Sequence, residues 1–193
     1  MNTHRLAVLR PVIFLDMDDV LCISNEYNSF QVMMCFRENQ LDWPELWAGL
    51  VDAGTAKNLQ SLHQDFNPQY VVSSSWANYL DRSQMCEVFA RTQLDYVSEN
   101  LHGEWKTPRA QTMSRREEIE AWLKKHHTVT QPILVLDDTD SGSSLIQSPL
   151  ATYGCVIFCD RYIGFSEEKL ISAQQSLLQQ CSEGGITFPK VIL

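Results

Sequence analysis

Hydrophobic positions fall along the chain in short runs that each stop at a polar residue. Val12 to Leu15 leads into Asp16, Tyr70 to Val72 into Ser73, Ile133 to Leu136 into Asp137, and Cys155 to Cys159 into Asp160. Unbroken apolar runs without alternation suit strands buried on both faces, as in a parallel sheet. Between them the apolar spacing changes to three and four. Leu59 and Leu62 mark a helix over Ala56 to Phe66, capped by Thr55 or a neighbour. Asp81 caps a second helix reaching about Leu94, with Met85, Val88 and Phe89 inward. Ser114 and Glu117 form a capping box ahead of Ile119, Trp122 and Leu123. His126 and His127 end that helix, where the helix dipole favours positive charge. Ser166 opens a last helix to about Gln180, with Glu167 and Glu168 in its first turn.

Strands alternating with helices predict an α/β fold, a Rossmann-like parallel sheet flanked by helices and joined by right-handed crossovers. Sheets of this kind bind ligands beyond the carboxyl ends of their strands. Asp16, Ser73, Asp137 and Asp160 are therefore expected at one edge. The 193 residues fit a single domain over 1–193, with 22–54 as a small cap or lid insertion. Val97 to Met113 has no clean period and is expected to be a long loop. Its His102, Trp105, Lys106 and Arg109 offer an aromatic and cationic grip on a nucleotide or phosphopeptide.

Charge narrows the function classes. Fifteen Lys and Arg against 24 Asp and Glu give a net −9. Sequence-independent coating of nucleic acid needs a basic surface and is not expected, whereas a local site for a nucleic-acid end remains open. The N-terminal segment lacks a signal-peptide layout, and no stretch approaches the roughly 18 apolar residues that cross a bilayer. The six cysteines, Cys22, Cys35, Cys86, Cys155, Cys159 and Cys181, show no CxxC spacing and read as reduced thiols. A cytoplasmic protein without membrane association is expected.

The chemistry-bearing signal is acidic. Asp16 and Asp18 sit one residue apart just past a strand, and Asp137-Asp138 follow another strand. Either pair alone suits a turn or helix cap. Both pairs at one edge would repel, and a hard divalent cation such as Mg²⁺ removes that cost while keeping positions for water or phosphate. A carboxylate beside that cation can attack phosphorus, and a neighbouring acid can protonate the leaving oxygen. Asp19 and Asp140 are read as structural.

Val12-Ile-Phe-Leu-Asp16-Met-Asp18-Asp19-Val20 resembles the first motif of haloacid-dehalogenase-type (HAD) phosphohydrolases. Ser73 after Val71-Val72 is similar to their second motif, Arg115 to their third and Leu136-Asp137-Asp138 to their fourth. A finer similarity is to the small HAD domains of Swiss Army Knife RNA-repair proteins. It is carried by Val-Val-Ser-Ser-Ser-Trp76, by Thr107-Pro108 with Arg115-x-x-Glu118-Ile119-x-x-Trp122-Leu123, and by Gly164-Phe-Ser-Glu-Glu168. That type has Arg after Ser-Ser-Trp, where this chain has Ala77.

The resemblance implies Asp16 as nucleophile and Asp18 as general acid/base. It implies Mg²⁺ held by Asp16, the Asp18 backbone carbonyl and Asp137, with Asp138 assisting. Ser73, with Ser74 as rival, would bind phosphate beside Arg115, for which Arg116, Lys106 and Arg109 are competitors. The function implied is a Mg²⁺-dependent phosphomonoesterase working through an aspartyl-phosphate. Its substrate would be a nucleic-acid terminal phosphate or a nucleotide. The other reading is a catalytically weak phosphate- or protein-binding module on the same scaffold. A two-metal nuclease explains Ser73 and Arg115 less well.

Overall fold

All four residues of Val12–Leu15 are buried, as the first apolar run requires, and this strand, β1, forms the centre of a sheet. The computed structural model describes residues 10–110 and 112–182. After β1 come α1 (Ser29–Glu38), α2 (Pro44–Leu50), α3 (Ala53–Phe66) and β2 (Gln69–Val72). Then follow α4 (Arg82–Arg91), α5 (Asp95–Glu99), β3 (Leu101–Lys106), α6 (Arg115–His126) and β4 (Ile133–Asp138). The chain closes with α7 (Pro149–Thr152), β5 (Val156–Cys159) and α8 (Glu167–Ser182). The five strands are parallel in the order β3-β2-β1-β4-β5. The chain winds outward from β1 in one direction to β3, then restarts on the other side at β4, so β1 and β4 flank the point where the winding reverses.

Alternate residues of each strand feed two cores. Ile13, Leu15, Tyr70, Val72, Leu134 and Leu136 face the larger one, with residues from α1 to α5 and α8. Val12, Phe14, Val71, Ile133 and Val135 face the smaller one, built on Ile119, Trp122 and Leu123 of α6. Trp122 meets Phe14 edge-on at 5.2 Å, a favoured aromatic geometry. A buried amide completes the sheet at its amino end. Gln180 of α8 accepts from the Ile133 N–H at 2.9 Å and donates to the Ile133 carbonyl at 2.8 Å.

The helix starts follow their capping residues. Asp81 with Gln84, and Ser114 with Glu117, form reciprocal capping boxes. Three expectations need correction. Asp52, rather than Thr55, caps α3, which therefore starts at Ala53. Thr55 instead donates to the Leu21 carbonyl at 3.1 Å, tying α3 to the loop after β1. The helix from Asp81 stops at Arg91, and Gln93 follows in the left-handed region. The stretch 97–113 is not a loop throughout, for it contains the end of α5 and the whole of β3. As an edge strand with a shifted register against β2, β3 exposes Gly103, Glu104 and Lys106, so it lacks an apolar run.

Residues 22–54 hold α1 and α2. Leu46, Trp47 and Leu50 of α2 are buried in the larger core, while α1 buries only Val32 and Cys35. No helix among the described residues is long and apolar enough to cross a membrane.

Candidate active site

Strand register decides which side chains meet. Leu15 pairs with Val72 on one side and Leu136 on the other, so the residues that follow, Asp16, Ser73 and Asp137, leave the sheet level with one another. The Asp16 N–H still donates to the Leu136 carbonyl at 3.0 Å and the Ser73 N–H to the Leu15 carbonyl at 2.9 Å. Asp16, Asp137 and Asp138 each bring one oxygen within 4.8 Å of the others, and all three are buried. At such a spacing each ionised pair repels by roughly 3–4 kcal/mol at the effective dielectric of a protein interior.

Arg115 offsets part of this charge. It lies in the first turn of α6, buried, where the helix dipole disfavours a cation. Acids surround it: Nε is 2.8 Å from Asp137 Oδ2, Nη2 is 3.4 Å from Asp16 Oδ2, and Nη1 is 3.6 Å from Glu118 Oε2. Nη1 also donates to Ser73 Oγ at 3.4 Å. The Asp137 contact is an ion pair and not an aligned hydrogen bond, which leaves Asp137 Oδ2 without a hydrogen-bond partner. Burial works against the Arg115 charge, but Asp16, Asp137 and Glu118 outweigh it and hold the guanidinium protonated.

Burial likewise raises the acids. Asp16 is pushed up by loss of water, against the pull of Arg115 and hydrogen bonds from Ser74, Met17 and Ser141. Asp137 is pushed up to about 8, first by burial and then by Asp16. Asp18 is pushed up to about 6 by burial, while a hydrogen bond from Trp76 pulls it down and the neighbouring acids push it up again. That bond runs from the Trp76 indole Nε1 to Asp18 Oδ2 at 2.9 Å. Trp76 thus engages one Asp18 oxygen, and the side chain stands outside the cluster of three.

Ser141 lies among the three carboxylates. Its Oγ is 2.9 Å from Asp16 Oδ2 and 2.7 Å from Asp137 Oδ1, and it also contacts Asp138 Oδ2. One hydroxyl proton can serve only one of these oxygens. Asp138 Oδ1 accepts from the N–H groups of Asp140 and Ser141, which fixes its direction. Gly142 leaves the space this turn needs: a Cβ there would stand 2.5 Å from the Asp138 carbonyl and 3.0 Å from the Asp137 carboxyl carbon. Once ionised, three carboxylates against one guanidinium leave two negative charges, and one buried oxygen lacks a hydrogen bond. A hard divalent cation with oxygen ligands fits both.

Comparison with protein families matches residues 12–170 to the family described as the HAD domain in Swiss Army Knife RNA repair proteins. The chain belongs to that family. No curated protein and no solved structure matches the chain. Membership in this HAD family supports a hydrolase of the phosphatase type.

Within this HAD domain the competing cations are sorted by geometry. Arg115 reaches the acids and Ser73, whereas Arg116 pairs with Glu120 at 2.7 Å and Arg109 with Glu118 at 3.3 Å. Lys106 donates to the Ala77 carbonyl at 2.7 Å. Ser73 and Ser74 are both buried, and Ser73 lies against Arg115. Asp160 stands apart from the cluster, more than half exposed and paired with Lys169 at 3.0 Å. Its strand is the outermost on that side, so the residue after it lies away from β1. Asp19 adopts a left-handed backbone, and its Oδ1 accepts from the Tyr162 N–H at 3.0 Å. Asp140 is exposed, 3.8 Å from Arg161. Gly164 of the HAD-like Gly-Phe-Ser stretch also has a positive φ, and a Cβ there would meet Thr55 and the Val20 carbonyl at 2.7 Å.

Sequence reading missed Trp76 as the partner of Asp18, Glu118 as the partner of Arg115, and Ser141 with Gly142. The Asp-Ser-Gly turn after Asp138 is the only one of these with a local signal.

Proposed function

We propose that the domain is a Mg²⁺-dependent phosphomonoesterase acting through an aspartyl-phosphate on Asp16. The observation that carries this reading is the meeting of Asp16, Asp137 and Asp138 with Arg115 and Ser73 at the carboxyl edge of the sheet. Asp16, Asp137 and Asp138, with the Asp18 backbone carbonyl, would hold Mg²⁺, which when bound neutralises charge on the phosphoryl oxygens.

The chain's own residues supply the remaining steps. An Asp16 carboxylate oxygen attacks phosphorus while the bond to the leaving oxygen breaks. Arg115 and the Ser73 hydroxyl face the equatorial oxygens, where negative charge is spread in the transition state. Asp18, raised to about 6, donates its proton to the leaving oxygen. It then takes a proton from the water that attacks the phosphorus of the aspartyl-phosphate, which releases phosphate and restores Asp16. The description of the family as an RNA-repair domain supports a nucleic-acid terminal phosphate or a nucleotide as substrate.

The test is Mg²⁺-dependent phosphate release from p-nitrophenyl phosphate, nucleotides, and 3′- and 5′-phosphorylated oligonucleotides. Asp16→Asn is expected to lower kcat by at least about 1,000-fold while the protein still folds. Turnover that survives this change, with deamidation excluded, removes the covalent route. Binding of phosphorylated ligands without turnover points to a binding module, and cleavage of internal phosphodiesters to a nuclease.

A further inference from the structure

β3 ends beside the phosphate pocket. Val72 pairs with Lys106, and the Thr107 N–H donates to the Val72 carbonyl at 3.1 Å, so the end of β3 stands level with the start of Ser73-Ser74. From there a groove of about 440 Å³ runs between β3 and α6. Its lining includes Ser74, Glu104, Lys106, Arg109, Trp122 and Lys125. Ser74 lines the groove directly after Ser73, whose Oγ meets Arg115, so one wall of the groove is also a wall of the phosphate pocket. Lys125 lies ten residues along α6 from Arg115, about 15 Å of helix. The groove therefore leads away from the reacting phosphorus along the helix that carries Arg115.

Its charge is opposite to that of the whole chain. Three permanent cations, Lys106, Arg109 and Lys125, line it against a single carboxylate, Glu104, in a protein of net −9. Arg109 is shared with the buried Glu118. Lys106 is held by a carbonyl and by the Trp105 ring, 5.1 Å from its centroid, neither of which cancels its charge. Among the described residues no carboxylate pairs with Lys106 or Lys125. Uncancelled cations in a concave, partly desolvated channel attract anions more strongly than the same charges on an open surface.

We propose that this groove is the leaving-group site, and that the leaving group carries at least one further phosphate. A nucleoside bisphosphate and the phosphodiester chain of an oligonucleotide both have this chemistry. The inference rests on the phosphomonoesterase reading, because it takes Asp16 and Ser74 to face the scissile phosphate.

Two measurements keep the readings apart. Phosphate release from p-nitrophenyl phosphate, which has no second anion, tests the phosphomonoesterase alone. Calorimetric titration of the Asp16→Asn protein with Mg²⁺ present tests the groove without turnover, using adenosine monophosphate, adenosine 3′,5′-bisphosphate and a 3′-phosphorylated trinucleotide. At least one of the two ligands with a second phosphate is expected to bind tenfold or more tighter than the monophosphate. A gain for the bisphosphate identifies a small ligand, and a gain for the trinucleotide alone identifies a chain. Adding Lys106→Gln and Lys125→Gln is expected to abolish the gain. Lys125→Arg, which keeps the charge, and Lys57→Gln, outside the groove, are expected to retain it. Thermal melts establish that each variant is folded. Equal affinity for all three ligands overturns the inference, as does a gain that survives in the folded double-lysine variant.

Discussion

Asp18 depends on one indole. Trp76 is fully buried, and its Nε1–H bonds Asp18 Oδ2, opposing the rise in pKa that burial and the neighbouring acids impose. In Trp76→Phe the charged form loses its donor and the pKa rises above its value of about 6. A general acid works while protonated, so the alkaline limb of the kcat/KM profile is expected to move to higher pH, as a pH–rate series with p-nitrophenyl phosphate would record. A limb that stays in place in the folded variant removes Asp18 from the acid role. At this scale the convergence of Asp16 and Asp137 was legible because each begins a pair of acids just past an apolar run, which Asp160 does not. The Trp76–Asp18 contact spans 58 residues of sequence, and no local pattern announces it. Ser141 was hidden for another reason: a serine in a turn is ordinary until three carboxylates are seen to converge on it.

Elements with a continuous apolar face or a polar cap were readable in advance. The central strands, the cap at Asp81, the capping box at Ser114 and the inward faces of α4 and α6 all follow from local chemistry. β3 was not readable, because it pairs irregularly with its one neighbour and exposes Gly103, Glu104 and Lys106, whereas β5 at the other edge keeps an apolar run. Gln180 is another long-range device, standing in for a strand partner at Ile133 from 47 residues away. Gln180→Met fills similar space but leaves a buried N–H and a buried carbonyl unpaired. Urea unfolding is expected to show a loss of about 2–6 kcal/mol, at about 1–3 kcal/mol for each orphaned group.

For the molecule as a whole, the acid cluster couples stability to pH and, on the proposed function, to metal. Asp137 stands at about 8 in the folded protein, above the value of about 4 that an unfolded Asp has. Without a cation this contribution to stability is fully present below about pH 4 and is lost as pH rises through about 8. On the proposed function Mg²⁺ would bind the ionised cluster, and its stabilising effect would grow in the same direction. The rise in Tm on adding Mg²⁺ is expected to be larger at about pH 8 than at about pH 5.5. Chelation should reverse it, and an equal rise at both values would disconnect the cluster from the metal.

The free side of β3 has a consequence for solubility. Long, flat, apolar strand edges recruit strands from other molecules. This one is six residues long, irregular in register, and exposes Glu104 and Lys106. Replacing both by valine is expected to make light scattering climb with protein concentration where the parent protein stays clear. The charges that conceal the strand from hydrophobic patterning also keep it from adhering to its own kind.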